Sequence, residues 1–230
     1  MDIKVVVANE SHANYAEHIC NLIYESALQR GTGIAKRTPE YIASKINEGK
    51  AVIAFDGDKL IGFCYIESWQ HSRFVANSGL IVDPEYRKTG LARMIKRRIF
   101  DLSRSRYPEA KIFSITTGLA VMKLNSELGY LPVTFSELTD DEEFWKGCEG
   151  CRNYDILVRN ERRMCLCTGM LYDPARAKKT EKDEKLSQPV SHKIDLNPFH
   201  LMPKRQRDLV RKLLRKSGLV RKPRRMAVRA

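Results

Sequence analysis

The residue pattern predicts an α/β (α+β) chain, a mixed central sheet flanked by helices, on three observations. From Ala51 to Phe135, short apolar runs and amphipathic stretches follow in the order strand, strand, strand, loop, helix, strand, helix, strand. Within Ser78 to Ile99 (SGLIVDPEYRKTGLARMIKRRI) an apolar run breaks at Asp83-Pro84 and resumes as a helix after a basic turn containing a glycine. The composition then shifts at Pro174. Pro174 to Ala230 holds 18 Lys or Arg against 5 Asp or Glu, whereas Met1 to Asp173 holds 23 of each, so all of the net charge of +13 lies in the tail.

Each element has a local cause. Ile3 to Val7 is a short apolar strand, and His12 to Gln29 carries Ala16, Ile19, Leu22 and Ile23 at helical spacing. Thr38-Pro39-Glu40 opens a second helix through Ile46, with a capping hydroxyl followed by proline at the first helical position. Ala51 to Phe55 and Leu60 to Glu67 flank an Asp56-Gly57-Asp58 turn and read as a hairpin, and Arg73 to Val82 makes the next strand. Leu91, Ile95, Ile99 and Leu102 set a helix that runs to about Arg106, ahead of Pro108. Lys111 to Thr116 is a strand, Ala120 to Leu128 a short helix stopped by Gly129, and Tyr130 to Phe135 a returning strand.

The turn Arg87-Lys88-Thr89-Gly90-Leu91-Ala92 is suited to phosphate. Gly90 lets the backbone approach closely, the amides of the new helix are unpaired donors at its positive dipole end, and Arg87 and Lys88 add charge. No Gly-Lys-Ser/Thr follows and only one glycine is present, so it is neither a P-loop nor GxGxxG. The pattern Arg-x-x-Gly-x-Ala, after Leu80-x-Val82-x-Pro84-x-Tyr86, resembles the acyl-CoA signature of the GNAT N-acetyltransferase superfamily. The element order over residues 1–135 is similar to that fold.

The resemblance implies a GNAT acyl-CoA N-acyltransferase fold and an acyl-CoA donor. Leu80, Ile81 and Val82, with Gly79 before them, and Ser114 to Thr116 would flank the pantetheine arm on two splayed strands. Arg87, Lys88, Thr89, Gly90, Leu91, Ala92 and Arg93 would hold the pyrophosphate. Acyl transfer to an amine needs a polarised carbonyl, a deprotonated ammonium and a protonated leaving thiolate. Glu67, at the end of a strand, is the first candidate base and His71 the second. Many family members carry an acidic tyrosine where Leu124-Asn125-Ser126-Glu127-Leu128-Gly129-Tyr130 has Asn125, which can hydrogen-bond cofactor but is a poor acid. Solvent or Tyr130 is left to protonate the thiolate.

Through Met170-Leu-Tyr172-Asp173-Pro174 the chain resembles bacterial N-acetylglutamate synthase-like acyltransferases of arginine biosynthesis, on segments such as RGTGIAKRTPEYI, KAVIAFDGDKLIGFCYIESW and LTDDEEFWKGCEGC. That implies acetyl-CoA or succinyl-CoA as donor and the α-amine of glutamate as acceptor. The basic loop Gly31 to Arg37 is suited to hold a carboxylate or is a solvated connection. A protein or ribosomal N-acetyltransferase, or a non-catalytic CoA-binding regulatory domain, are the alternative classes.

Cys148-Glu149-Gly150-Cys151 and Cys165-Leu166-Cys167 resemble a zinc-ribbon arrangement, in which Cys148, Cys151, Cys165 and Cys167 would hold a structural zinc with no open position; a group of reduced thiols is the other reading. Cys20 and Cys64 are expected in the core. The domain plan is 1–135, the acyltransferase domain; 136–174, a Cys-rich extension in hairpin form; 175–202, a flexible linker; and 203–230, a basic helix and tail. That tail is a solvated face, an RNA- or ribosome-binding arm, or a surface for an anionic membrane or partner helix. No secretory signal is read at Met1 to Ala8 and no apolar run approaches a membrane span, so the expected location is cytoplasmic, with a homodimer as the expected assembly.

Overall fold

The computed structural model describes residues 2–30 and 37–178, together with 204, 208 and 213. The strands are β1 (Ile3–Val7), β2 (Ala51–Asp56), β3 (Lys59–Trp69), β4 (Phe74–Val82), β5 (Lys111–Thr116), β6 (Leu131–Val133) and β7 (Thr168–Tyr172). The helices are α1 (Ala16–Arg30), α2 (Pro39–Asn47), α3 (Leu91–Arg106), α4 (Leu119–Glu127), α5 (Glu142–Lys146) and α6 (Tyr154–Arg159).

Strands run in the order β1-β2-β3-β4-β5-β7-β6, antiparallel except for the parallel pair β4–β5. β2 and β3 are nearly continuous apolar runs because both of their faces are covered. On one face α3 packs Leu91, Ile95 and Ile99 against Val52, Ile61 and Ile66. On the other, α1 and α2 bring Ile19, Ile42 and Ile46 onto Ile53 and Phe63. Each such side chain contributes roughly 1.5–3 kcal/mol by leaving water. A third cluster on Phe74, Ala76 and Phe113 includes Phe135 and, from the Cys-rich stretch, Trp145 and Leu157.

Caps place the helix starts. The Thr38 hydroxyl accepts from the Tyr41 amide at 3.3 Å, and Pro39 opens α2. β5 has the span read from sequence, and α3 ends at Arg106 as expected, whereas the first helical stretch begins as a 3-10 turn over Glu10–Tyr15 capped by Asn9. The Cys-rich stretch differs from the hairpin form expected of it. It contributes two short helices, and its last segment is β7, inserted between β5 and β6. β7 is an apolar five-residue run whose backbone completes a ladder with β5, so this stretch shares the main core.

The chain divides into two compact units, Met1–Lys185 and Leu186–Ala230. In the first, residues 174–178 are helical, with Arg176 bound to Glu137 at 3.0 Å and Lys178 to Glu109 at 3.2 Å. In the second, Lys204, Asp208 and Leu213 are helical and exposed; the rest of the basic helix read over Pro203 to Lys216 lies outside the described residues. No helix among the described residues is long and apolar enough to cross a membrane.

Candidate active site

The parallel pairing of β4 with β5 is confined to Phe74–Lys111, Val75–Ile112 and Ala76–Phe113. Beyond it β4 continues to Val82 and β5 to Thr116 without pairing, so the strands part and the facing backbone groups of Asn77 to Val82 have no ladder partner on that edge. A bulge marks the departure. Gly79 has φ 65°, and a β-carbon there would stand 2.5 Å from the Tyr65 ring, so only glycine fits. Leu80, Ile81 and Val82 lie on β4 beyond this point, and Ser114 to Thr116 on β5.

The strand leads into the basic turn. Asp83 accepts from the Glu85 amide at 2.9 Å, Lys59 binds Asp83 at 3.2 Å and Glu85 at 2.6 Å, and the Thr89 hydroxyl donates to the Tyr86 carbonyl at 2.7 Å. Lys88 (φ 67°) and Gly90 (φ 91°) then turn the chain into α3, whose N-terminus has no side-chain cap. Its first amides, Leu91 and Ala92 among them, are thus available at the positive end of a 16-residue helix. Arg87 reaches Gln29 and Ser26 of α1 at 3.3 and 3.4 Å, and Arg93 makes a two-pronged pair with Glu127 of α4 at 2.8 Å. The turn is thereby braced to helices on both sides.

Glu67 is only 5% exposed. The Tyr41 hydroxyl donates to its Oε1, the Ser78 hydroxyl donates to its Oε2, and Arg37 Nη2 lies 3.7 Å from Oε1. Arg37 also donates through Nε to the Tyr65 hydroxyl at 2.7 Å and covers the Tyr41 ring at 5.4 Å. Burial, then the Glu67 charge, push the phenols of Tyr41 and Tyr65 well above their ordinary pKa, so both stay protonated. Burial opposes the Arg37 charge, but Tyr65 and Glu67 outweigh it and hold its pKa up. Of these groups the sequence reading singled out Glu67 and the loop ending at Arg37; it missed Tyr41, Tyr65 and Ser78. The alternation that puts Tyr65 and Glu67 on one face of β3 was the available signal.

The other candidates lie apart from this cluster. His71 is exposed, with φ 53°, on the tight turn joining β3 to β4, at the end of those strands away from the parting of β4 and β5. Asn125 is fully buried; its Nδ2 donates to the Ser114 hydroxyl at 2.7 Å, and its Oδ1 has no partner among the described residues. Tyr130 is buried with its hydroxyl donated to Asn77 Oδ1 at 3.0 Å, and burial raises its pKa well above the usual phenol value. Gly31 to Lys36 lie outside the described residues.

Cys148, Cys151, Cys165 and Cys167 line one cavity with Phe135 and Leu157. Burial and the neighbouring thiols push Cys148 up to about 11 and Cys167 up to about 12. Among the described residues no group of three or more His, Cys, Asp or Glu side chains is arranged to hold a metal ion. Cys64 is buried and Cys20 packs against the α1–α2 core, as expected of both.

The acetyltransferase (GNAT) family profile matches residues 19–126. No curated protein matches the sequence. Among solved structures, N-acetylglutamate synthase from Neisseria gonorrhoeae, complexed with coenzyme A and N-acetyl-glutamate, is similar with a TM-score of 0.55 at 17% identity, over 75% of this chain and 35% of that one. The chain thus spans about a third of the length of that enzyme. A Mycobacterium tuberculosis protein in complex with CoA and NLQ gives a TM-score of 0.54 at 15% identity, covering 74% and 98%. Diaminobutyrate acetyltransferase from Paenibacillus lautus, in complex with L-2,4-diaminobutyric acid and coenzyme A, gives 0.51 at 10%, covering 75% and 95%. At these identities the likeness is one of fold.

Proposed function

We propose that this chain, whose residues 19–126 match the acetyltransferase (GNAT) family profile, is an acyl-CoA-dependent N-acyltransferase that transfers an acetyl group from acetyl-CoA to the α-amine of a carboxylate-bearing amino acid, glutamate first. The observation that carries this reading is the buried Glu67 carboxylate, held by Tyr41, Ser78 and Arg37 beside the parting of β4 and β5. A base, a guanidinium for an acceptor carboxylate and a strand edge with unpaired amides meet there.

In this reading the pyrophosphate rests on the amides of Leu91 and Ala92, with Lys88 and Arg93 beside them. The pantetheine arm extends along the unpaired edge of β4, replacing the missing ladder bonds. The acceptor ammonium gives its proton to Glu67, directly or through water, and the freed amine attacks the thioester carbonyl. Amides of β4 near Leu80 stabilise the developing oxyanion. The tetrahedral intermediate gives up the second proton of its nitrogen to solvent and collapses with loss of CoA thiolate, which takes its proton from solvent. Asn125 acts as a positioning residue that holds Ser114 and the start of the splayed β5 segment.

The concentration of positive charge in the tail favours a second reading, a protein or ribosomal acceptor docked through that arm. Thiol release from acetyl-CoA and succinyl-CoA, followed with purified protein and a panel of amino acids and amines, decides between them. Glutamate-dependent release that is abolished in Gly90→Val supports the first reading and identifies the donor by rate. CoA binding with no turnover on any free amino acid overturns it and moves the search to protein acceptors.

A further inference from the structure

Beneath the point where β4 and β5 part, on the side covered by α3 and α4, the chain buries a layer of polar groups around one charge. Asn77 and Ser114 are the first residues of their strands past the last ladder pair, Ala76–Phe113. Asn77 Nδ2 donates to the Ser103 hydroxyl of α3 at 2.8 Å, and its Oδ1 accepts from the Tyr130 hydroxyl at 3.0 Å and from Lys96 Nζ at 3.4 Å. Asn125 of α4 holds Ser114. Asn77, Lys96, Ser103, Ser114 and Asn125 are five of the nine buried polar or charged residues among the described residues, so polar burial is concentrated at this apex. Lys96 is the one buried cation, and the groups against its ammonium are neutral: the Asn77 oxygen and the Tyr130 ring at 5.1 Å. Elsewhere this face of the sheet is apolar, with Ile3 and Val5 of β1 and Val52 and Ala54 of β2. The titratable or charged groups turned toward Lys96 are the Cys64 thiol of β3, the Tyr130 phenol and, behind that ring, Tyr172 of β7 with Arg104 of α3 over it at 5.3 Å. Burial pushes Cys64 up to about 11 and Tyr130 well above the usual phenol value, so both are uncharged at neutral pH. A buried charge without a counter-charge is costly, and folds keep such costs at positions that serve function.

We propose that Lys96 is a positioning residue for acyl transfer, which fixes Asn77 at the apex and sets an uncompensated positive charge beneath the place where the thioester reacts. This rests on the acyltransferase reading, in which the pantetheine arm runs from the turn before α3 along the unpaired edge of β4 toward the apex. The thioester is then the part of the donor nearest Lys96. Negative charge develops there twice, on the carbonyl oxygen and then on the departing sulfur. A fixed cation behind the strand, in a layer that excludes water, stabilises both more than it could in solvent. Lys96 transfers no proton and forms no bond, and the thiolate takes its proton from solvent. Since only the ammonium has this effect, kcat falls as Lys96 loses its proton, with a midpoint of about 8.

The test compares the full chain with Lys96→Met, which removes both charge and hydrogen bond, and Lys96→Gln, which keeps a donor for Asn77 without the charge. Profiles of kcat and of KM for acetyl-CoA against pH are measured beside urea titrations. Both variants are expected to fold, yet to lose kcat by roughly tenfold or more with little change in KM. The fall in kcat centred near pH 8 disappears from both. Full kcat in Lys96→Gln assigns the effect to the hydrogen bond and overturns the proposal. So does a loss confined to KM, or a kcat and pH profile unchanged in both variants. A native chain that turns over no free amino acid counts against the acyltransferase reading instead, and binding then decides the role of Lys96. Calorimetric titration with CoA and with desulfo-CoA, which lacks the sulfur, is expected to show a preference for CoA that grows as the thiol ionises and is lost in Lys96→Met. An equal preference in both chains overturns the proposal.

Discussion

Tyr41, on the first turn of α2, donates its hydroxyl to the Glu67 carboxylate of β3, so a helix and a strand meet at one oxygen. Arg37 stands 3.7 Å from the same oxygen and bonds Tyr65 besides. Glu67 keeps its place because Tyr41 of α2, Ser78 of β4 and Arg37, just ahead of α2, hold it.

Replacing that carboxylate separates its two roles. Glu67→Gln keeps the shape and lowers kcat by roughly 100-fold or more, the usual span for a lost general base. Tyr41→Phe leaves the base in place but removes a hydrogen bond to a charged group, costing about 1.5–3 kcal/mol by denaturant titration. Equal kcat in Glu67→Gln and the unaltered chain would remove Glu67 from the chemistry.

The turn into α3 is tested by cofactor affinity. Gly90 has φ 91°, so Gly90→Val strains the backbone by roughly 1–2 kcal/mol and displaces the amides of the first turn. The KM for acetyl-CoA rises. Arg93→Ala also weakens CoA binding, yet changes stability by less than about 1 kcal/mol because its pair with Glu127 is solvent-exposed. Isothermal titration with CoA and thermal melts measure the two effects separately.

Lys96 is buried at 2% exposure beside Asn77 and the Tyr130 ring, and burial pushes its pKa down to about 8. The unfolded chain holds that proton to about 10.5, so between about pH 8 and 10.5 the unfolded state binds more protons and this group's contribution makes the fold more stable as pH rises. Below pH 8 the full penalty of about 3 kcal/mol is present. Lys96→Met is therefore more stable than the unaltered chain at pH 7, and the gap closes toward pH 10. Asn77 stays satisfied by Tyr130 and Ser103. Urea titrations across that range check both the sign and the window.

Asn125→Ala unties Ser114 and leaves a small void, costing about 1–3 kcal/mol. Because Asn125 donates no proton to the leaving group, the pH profile of kcat keeps its shape. A lost alkaline limb in that profile would contradict the positioning role.

Much of the fold was legible because its signals are local. The β-turn residues Asp56-Gly57-Asp58, the Thr38-Pro39 cap and the apolar positions of α3 act within a few residues of one another, and these elements formed close to where the pattern set them. The basic turn was legible for the same reason. The cluster around Glu67 was not, since Tyr41, Glu67 and Ser78 come from three separate elements and nothing in their spacing announces that they meet. The burial of Tyr130 and Asn125 was hidden for a related cause: hydrogen-bonding capacity is visible in a residue type, but burial is not.

Residue pattern alone therefore sets the order of elements, the strand-to-helix turn with its uncapped helix, and the confinement of positive charge to the tail, because helical and strand periodicity and glycine conformations are short-range. Packing settles the rest. The insertion of β7 between β5 and β6, the parting of β4 from β5 beyond Ala76, the gathering of four thiols and the convergence on Glu67 all depend on contacts between residues far apart in the chain. Such contacts are selected by the joint burial of apolar faces and the pairing of backbone groups, and no single segment carries that information.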